Sequence, residues 1–183
     1  MNRVALIERE TKETRIEVRV DLDGSGEADI SCEDQFLRHM LESLAKYSSF
    51  DLGVRASGDN DHHILEDVSI VLGMAIREAM GDQPVERIAS SLVPMDDALV
   101  LVALDLIDRP YVDVECPDPM YHHILRSLAM SCGMTLHVKV LRGFDEHHVV
   151  EATFKALGRA LKKGVARRET TLSTKAKPKV RRK

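Results

Sequence analysis

Two short segments hold most of the residues able to do chemistry, His62-His63-Ile64-Leu65-Glu66 and His147-His148-Val149-Val150-Glu151. In a helix, residues three and four apart share a face, so His62 or His63 can converge with Glu66 on one point, and His147 or His148 with Glu151. Consecutive histidines diverge by roughly 100° about a helix axis, so the two members of each pair are expected to serve different ions. Imidazole nitrogen with carboxylate oxygen and no thiolate suits manganese, iron or zinc. One such match is weak, because paired histidines also decorate ordinary solvated helix starts; two related copies are a far stronger signal. His39 and His137 are the histidines placed to complete the ligand sets. His122 and His123 rank below them, having no carboxylate three or four residues on, and His137 taken alone reads as a satisfied core histidine in an apolar strand.

Periodicity shows what must hold these residues. Residues 14–21 alternate, with Ile16, Val18 and Val20 on one face and Arg15, Glu17 and Arg19 on the other, which suits a half-buried strand. Asp23-Gly24-Ser25-Gly26 supplies a turn. Over 35–47, Phe36, Leu37, Met40, Leu41 and Leu44 fall at helical spacing, placing His39 on or beside an amphipathic helix. Residues 52–56 read as a strand. After the turn at Gly58-Asp59-Asn60, a long helix is expected from about 61 to 80, stopped by Gly81. The apolar run 98–106 reads as a strand closed by Arg109-Pro110. A helix resumes around 123–131, 136–140 is another strand, Gly143-Phe144-Asp145 a turn, and His147 lies at the start of a further helix.

The second series repeats the first. Leu52 against Leu136 and His39 against His123 share an offset of 84. One residue inserted in the second turn makes it 85, pairing His62 with His147, His63 with His148 and Glu66 with Glu151. The expected fold is α+β, with internally duplicated strand-rich and helical units and each sheet covered by helices. Residues 1–90 form the first half, 91–170 the second, and 171–183 a basic tail on one compact domain.

With 183 residues, 44% of them hydrophobic, the chain can bury one substantial core. A formal charge of -4 gives no reason to expect nucleic acid or an anionic membrane as partner. The charge is uneven: from Arg159 onward the cations face the single acid Glu169, so the terminus is either solvated or a phosphate binder. Cys32, Cys116 and Cys132 are scattered and read as reduced thiols. No apolar run approaches about eighteen residues and residues 1–19 lack a signal-peptide centre, so a cytoplasmic location is expected.

Further motifs follow a known order. They are Thr11-Lys12-Glu13-Thr14, Leu22-Asp23-Gly24-Ser25-Gly26, Phe36-Leu37-Arg38-His39-Met40-Leu41, Pro94-Met95-Asp96-Asp97-Ala98-Leu99, Asp108-Arg109-Pro110-Tyr111, Thr135-Leu136-His137-Val138 and Thr153-Phe154-Lys155-Ala156. With the two histidine motifs, they make the chain resemble the imidazoleglycerol-phosphate dehydratase family over nearly its whole length. The resemblance implies metal ligands at His39, His62, His63, Glu66, His137, His147, His148 and Glu151, holding two manganese ions. It places the substrate phosphate at Arg87, Arg109, Lys155, Ser173 and Lys175, and an acid/base carboxylate reaching a neighbouring subunit's site at Glu13. His62, Glu66, His147 and Glu151 join Glu13 as the residues expected to carry catalysis. It further implies sheets enclosing a helical layer, and trimers assembled by metal into a shell of about twenty-four subunits.

The implied reaction is a dehydration in histidine biosynthesis, from imidazoleglycerol phosphate to imidazole-acetol phosphate. No carbonyl acidifies the departing proton, so the imidazole ring must supply the electronic help, through metal coordination. The chain departs from the family pattern at Arg38, usually Asp, at Ser43, often Gln, and in shorter segments before His62 and after Tyr111; no Gly follows Lys175. Two other readings use some of the same residues: a dinuclear metal hydrolase acting on a phosphorylated small molecule, and a metal-assembled binding protein without dehydratase activity.

Overall fold

The computed structural model describes residues 3–172, so Ser173 and Lys175 lie outside the described residues. The first half contains β1 (Val4–Glu10), β2 (Thr14–Asp21), β3 (Ala28–Ser31), α1 (Gln35–Ser48), β4 (Asp51–Gly58) and α2 (Asp61–Met80). The second repeats the series as β5 (Ile88–Met95), β6 (Ala98–Asp105), β7 (Tyr111–Val114), α3 (Pro119–Cys132), β8 (Thr135–Arg142) and α4 (Glu146–Gly164). The sheet orders match, β1-β2-β4-β3 and β5-β6-β8-β7. In each sheet the short strand pairs parallel to its neighbour and the other pairings are antiparallel. The expected α+β class and duplication are both present.

Strands expected at 14–21, 52–56, 98–106 and 136–140 are the inner strands β2, β4, β6 and β8. The four that periodicity did not single out, β1, β3, β5 and β7, are all edges. An edge strand buries less and is free of a second ladder, so its alternation is weaker and it tolerates Pro94 within β5.

Each helix opens on an Asp or Asn whose side chain accepts a backbone N–H, as N-cap residues do. Asp34 accepts from Leu37, Asn60 from His63, Asp118 from Met120 and Tyr121, and Asp145 from His147. Asp118 with Pro119 at the first helical position starts α3 four residues before the expected 123. In α2 and α4 the caps place both histidine motifs in the first turns.

Ile16, Val18 and Val20 of β2 and Val100, Val102 and Leu104 of β6 turn inward onto the helices. α2 packs on β1 and β2, and α4 on β5 and β6. The helices pair across the halves, α1 with α4 and α2 with α3, forming a layer between the sheets. Two equivalent glycines permit this approach. A Cβ on Gly73 would lie 2.5 Å from Leu128 O and 2.9 Å from Cys132 N of α3; on Gly158 it would lie 2.9 Å from Leu44 O and 3.1 Å from Ser48 N of α1. Ala in place of a helical Gly ordinarily stabilises by about 0.5–1 kcal/mol. Here the sign is expected to reverse: Gly73→Ala and Gly158→Ala should each lose about 1–3 kcal/mol in urea unfolding, because the obstructing atoms are backbone.

Candidate metal centres

Helix pairing between the halves builds two equivalent clusters. Where α1 meets α4, His39 joins His147 and Glu151; where α3 meets α2, His123 joins His62 and Glu66. Within each cluster the candidate ligand atoms all lie within 4.8 Å of one another. Nε2 of His39 is 3.4 Å from Glu151 Oε1 and Nε2 of His147 is 3.6 Å from Glu151 Oε2. Nε2 of His123 is 3.2 Å from Glu66 Oε1. The imidazole pairs match as well: His39 and His147 lie at 6.4 Å and 24° between ring planes, His62 and His123 at 5.7 Å and 22°.

Two imidazoles and a carboxylate form a donor set for a divalent transition metal. The second cluster also carries an orphan: His123 Nε2 is buried and, despite Glu66 nearby, is not aligned for a hydrogen bond. A buried ring nitrogen without a partner is costly unless something else engages its lone pair. The residues therefore fit a metal. In the first cluster, burial would raise the Glu151 carboxyl, but the Lys155 ammonium at 2.8 Å, helped by His39, outweighs it and holds the group below its ordinary value. The thiols take no part: burial pushes Cys116 up to about 11 and Cys132 up to about 12.

His63 and His148 turn to other partners. Their rings stand at 84° and 85° to those of His62 and His147. Nδ1 of His63 is 2.8 Å from Asp59 Oδ1, and Nδ1 of His148 is 2.6 Å from Asp97 Oδ1. Both imidazoles are raised above 6.5, first by these hydrogen bonds. Ligation needs a neutral ring, so metal must displace a proton where the pH lies below the raised value. Metal affinity is expected to fall as pH drops through these raised values, read by metal titration at a series of pH values. Metal-free stability runs the opposite way: each charged pair contributes fully below 6.5 and its contribution is lost as pH rises through the raised value.

The other residues singled out from the sequence fall in different places. His137 lies on β8 between Ala103 and Asp113, on the strand face opposite buried Leu136 and Val138, with Nδ1 3.5 Å from Asp113 Oδ2. It joins neither cluster, because its side chain points away from the helical layer. His123, ranked lower from sequence, is the residue brought in; its carboxylate comes from α2, and its offset of 84 from His39 was the available signal. Lys155 stands one turn after Glu151, also 3.2 Å from Met95 Sδ. Arg38, beside His39, donates to the Cys32 carbonyl at 3.0 Å. Glu13 is exposed on the β1–β2 turn, 3.8 Å from His63 Nδ1.

Arg87 and Arg109 lie at the far ends of the helices. The Arg87 N–H donates to Gly164 O, the last residue of α4, and its guanidinium pairs with Asp105 at 2.7 Å. From His147 to Gly164 the helix rises roughly 25 Å at about 1.5 Å per residue. Arg109 accepts from Thr135 through its carbonyl, beside the C-cap Gly133 of α3, roughly 15 Å along that helix from His123. Among the described residues no helix is long and apolar enough to cross a membrane.

Fold and site together define a duplicated α+β protein whose paired helices present histidine–carboxylate clusters suited to transition metals. The chain belongs to the imidazoleglycerol-phosphate dehydratase family, whose sequence profile matches residues 32–161. It is 46% identical over 192 aligned positions to the imidazoleglycerol-phosphate dehydratase of Desulfitobacterium hafniense, covering 94% of this chain and 97% of that one. It is 44% identical to that of Desulforamulus reducens, covering 91% and 92%. A crystal structure of IGPD from Pyrococcus furiosus matches with a TM-score of 0.81 at 36% identity, covering 92% of this chain and 98% of that one.

Proposed function

We propose that this protein is an imidazoleglycerol-phosphate dehydratase that forms imidazole-acetol phosphate in histidine biosynthesis, in the cytoplasm, with two divalent ions, manganese in preference, per subunit. The observation that carries the reading is the pair of equivalent clusters assembled between the halves of the duplication, on a chain of this family. His39, His147 and Glu151 hold one ion; His62, Glu66 and His123 hold the other. His63 and His148, which face away from these clusters, serve ions shared with neighbouring copies. His137 stands outside this set.

The same distances support assembly. Arg87 and Arg109 sit too far along their helices to orient a small substrate bound at their own chain's clusters. They act on substrate held at another copy, with Lys155 local and Ser173 and Lys175 in the tail. A homo-oligomer of trimers, growing to a large shell, satisfies this, and its interfaces gain stability from the shared metal.

When bound, the ions supply Lewis-acid stabilisation of charge on the imidazole ring and departing hydroxyl. The protein's own groups do the rest. Guanidinium forks and the Lys155 ammonium fix the phosphate and so orient the reacting carbons. The Glu13 carboxylate takes the proton from the carbon next to the one losing its hydroxyl. The test is turnover by metal-stripped protein reconstituted with manganese, following imidazole-acetol phosphate. Failure to form product with both sites loaded and the oligomer assembled would defeat the reading.

A further inference from the structure

The two halves differ in how the second histidine of each motif is held, a point that rests on the metal-binding reading above. β6 repeats β2 at an offset of 84, placing Asp97 where the first half has Glu13. The turns differ. Met95 pairs with Ala98, leaving a two-residue turn with Asp96 at φ 48°, and Asp97 is drawn against the start of α4. One carboxylate oxygen accepts the N–H groups of Phe144 at 2.5 Å and Asp145 at 3.1 Å, and the other lies 2.6 Å from His148 Nδ1.

In the first half Glu10 pairs with Arg15, and the longer turn is closed by the Thr11 hydroxyl, which accepts from the N–H groups of Glu13 and Thr14. This turn carries the Glu13 side chain outward, 59% exposed, and leaves it 3.8 Å from His63 Nδ1, beyond hydrogen-bond reach. The loop before α2 docks on the Glu13 main chain instead, the Asp59 N–H donating to its carbonyl at 3.0 Å. The Asp59 carboxylate reaches His63 Nδ1 at 2.8 Å. Asn60 Nδ2, also 2.8 Å from that nitrogen, has an acceptor in the same Asp59 oxygen at 3.1 Å. At an offset of 85, the counterpart of Asp59 is Phe144, which offers no carboxylate.

We infer that Asp97 and Asp59 are positioning residues for His148 and His63, each keeping the ring proton on Nδ1 so that the Nε2 lone pair, which on His148 faces Asp96 Oδ2 at 3.5 Å, is left for an ion. The transfer of this task to Asp59 releases Glu13 from holding a ligand. A carboxylate behind a ligating imidazole sets its tautomer and orientation, and its loss typically costs about 10–100-fold in metal affinity.

The experiment is Mn2+ titration of metal-stripped full-length protein, with free ion read by its paramagnetic resonance signal, on Asp97→Asn, Asp59→Asn, Asp97→Glu and Glu13→Gln. At position 97 the amide keeps an oxygen for the two backbone N–H groups but turns an NH2 toward Nδ1, which must then accept, moving the ring proton to Nε2. Both Asp→Asn variants are expected to weaken binding by about 10–100-fold, Asp97→Glu to restore most of it, and Glu13→Gln to bind like wild type. Wild-type affinity in either Asp→Asn variant, or a Glu13→Gln loss equal to that of Asp59→Asn, would overturn the assignment. So would a lowered urea midpoint of metal-free Asp97→Asn at alkaline pH, where His148 is neutral and no charged pair is lost, which would make Asp97 a prop for the turn. Turnover does not enter this readout, so failure of the dehydratase reading is seen separately.

Discussion

Replacing His147 by Ala is expected to abolish manganese-dependent product formation and to weaken metal binding by more than about 100-fold, beyond the loss typical of a supporting residue. His147 supplies one of three candidate ligand atoms gathered where α1 meets α4, and the two left are on the His39 imidazole and a Glu151 carboxylate already paired with Lys155. The ring is exposed and stacks on Phe36 at 4.7 Å, so truncation removes donor capacity with little core. The comparison that sharpens this result is His123→Ala beside His137→Ala. The geometry predicts that His123→Ala loses metal as His147→Ala does, while His137→Ala stays within about twofold of wild type. Metal content by elemental analysis, with turnover on the same samples, reads both. The reverse order, with His137 essential and His123 dispensable, would remove the cross-half clusters from consideration as the metal centres.

Glu13→Gln should lower kcat by about 10²–10⁴-fold, the usual contribution of a positioned acid or base, with KM nearly unchanged. The amide keeps the size and the hydrogen-bonding oxygen but cannot take a proton. Glu13 is exposed, on a turn held by Thr11 through backbone groups, so the substitution disturbs no packing. A kcat close to wild type would exclude Glu13 as the proton carrier, and the base would have to be sought among the groups around the two clusters.

The histidine motifs, the duplication and the four inner strands were all legible in the residues, for a shared reason. An inner strand facing a helical layer must alternate, and a capped amphipathic helix must announce its start, so burial imprints both on local sequence. The edge strands β1, β3, β5 and β7 carried no such imprint, being only partly buried.

The ranking of His137 above His123 shows where local reading runs out. His123 has no acid within a helical turn, and nothing near it in the chain marks it as a ligand. Its carboxylate is Glu66, on another helix of the other half, 3.2 Å away only because Gly73 lets α2 and α3 meet at backbone distance. The divergence of Glu13 and Asp97 has a similar origin, since two residues more or less between the last paired positions of a hairpin decide whether a carboxylate reaches a helix start. Ligand type, helix face and repeat period are properties of neighbours in the chain, and those the amino acids set by themselves. Which residues converge on a point depends on how closely helices from separate halves pack and how each turn aims its side chain, and that only the folded molecule decides.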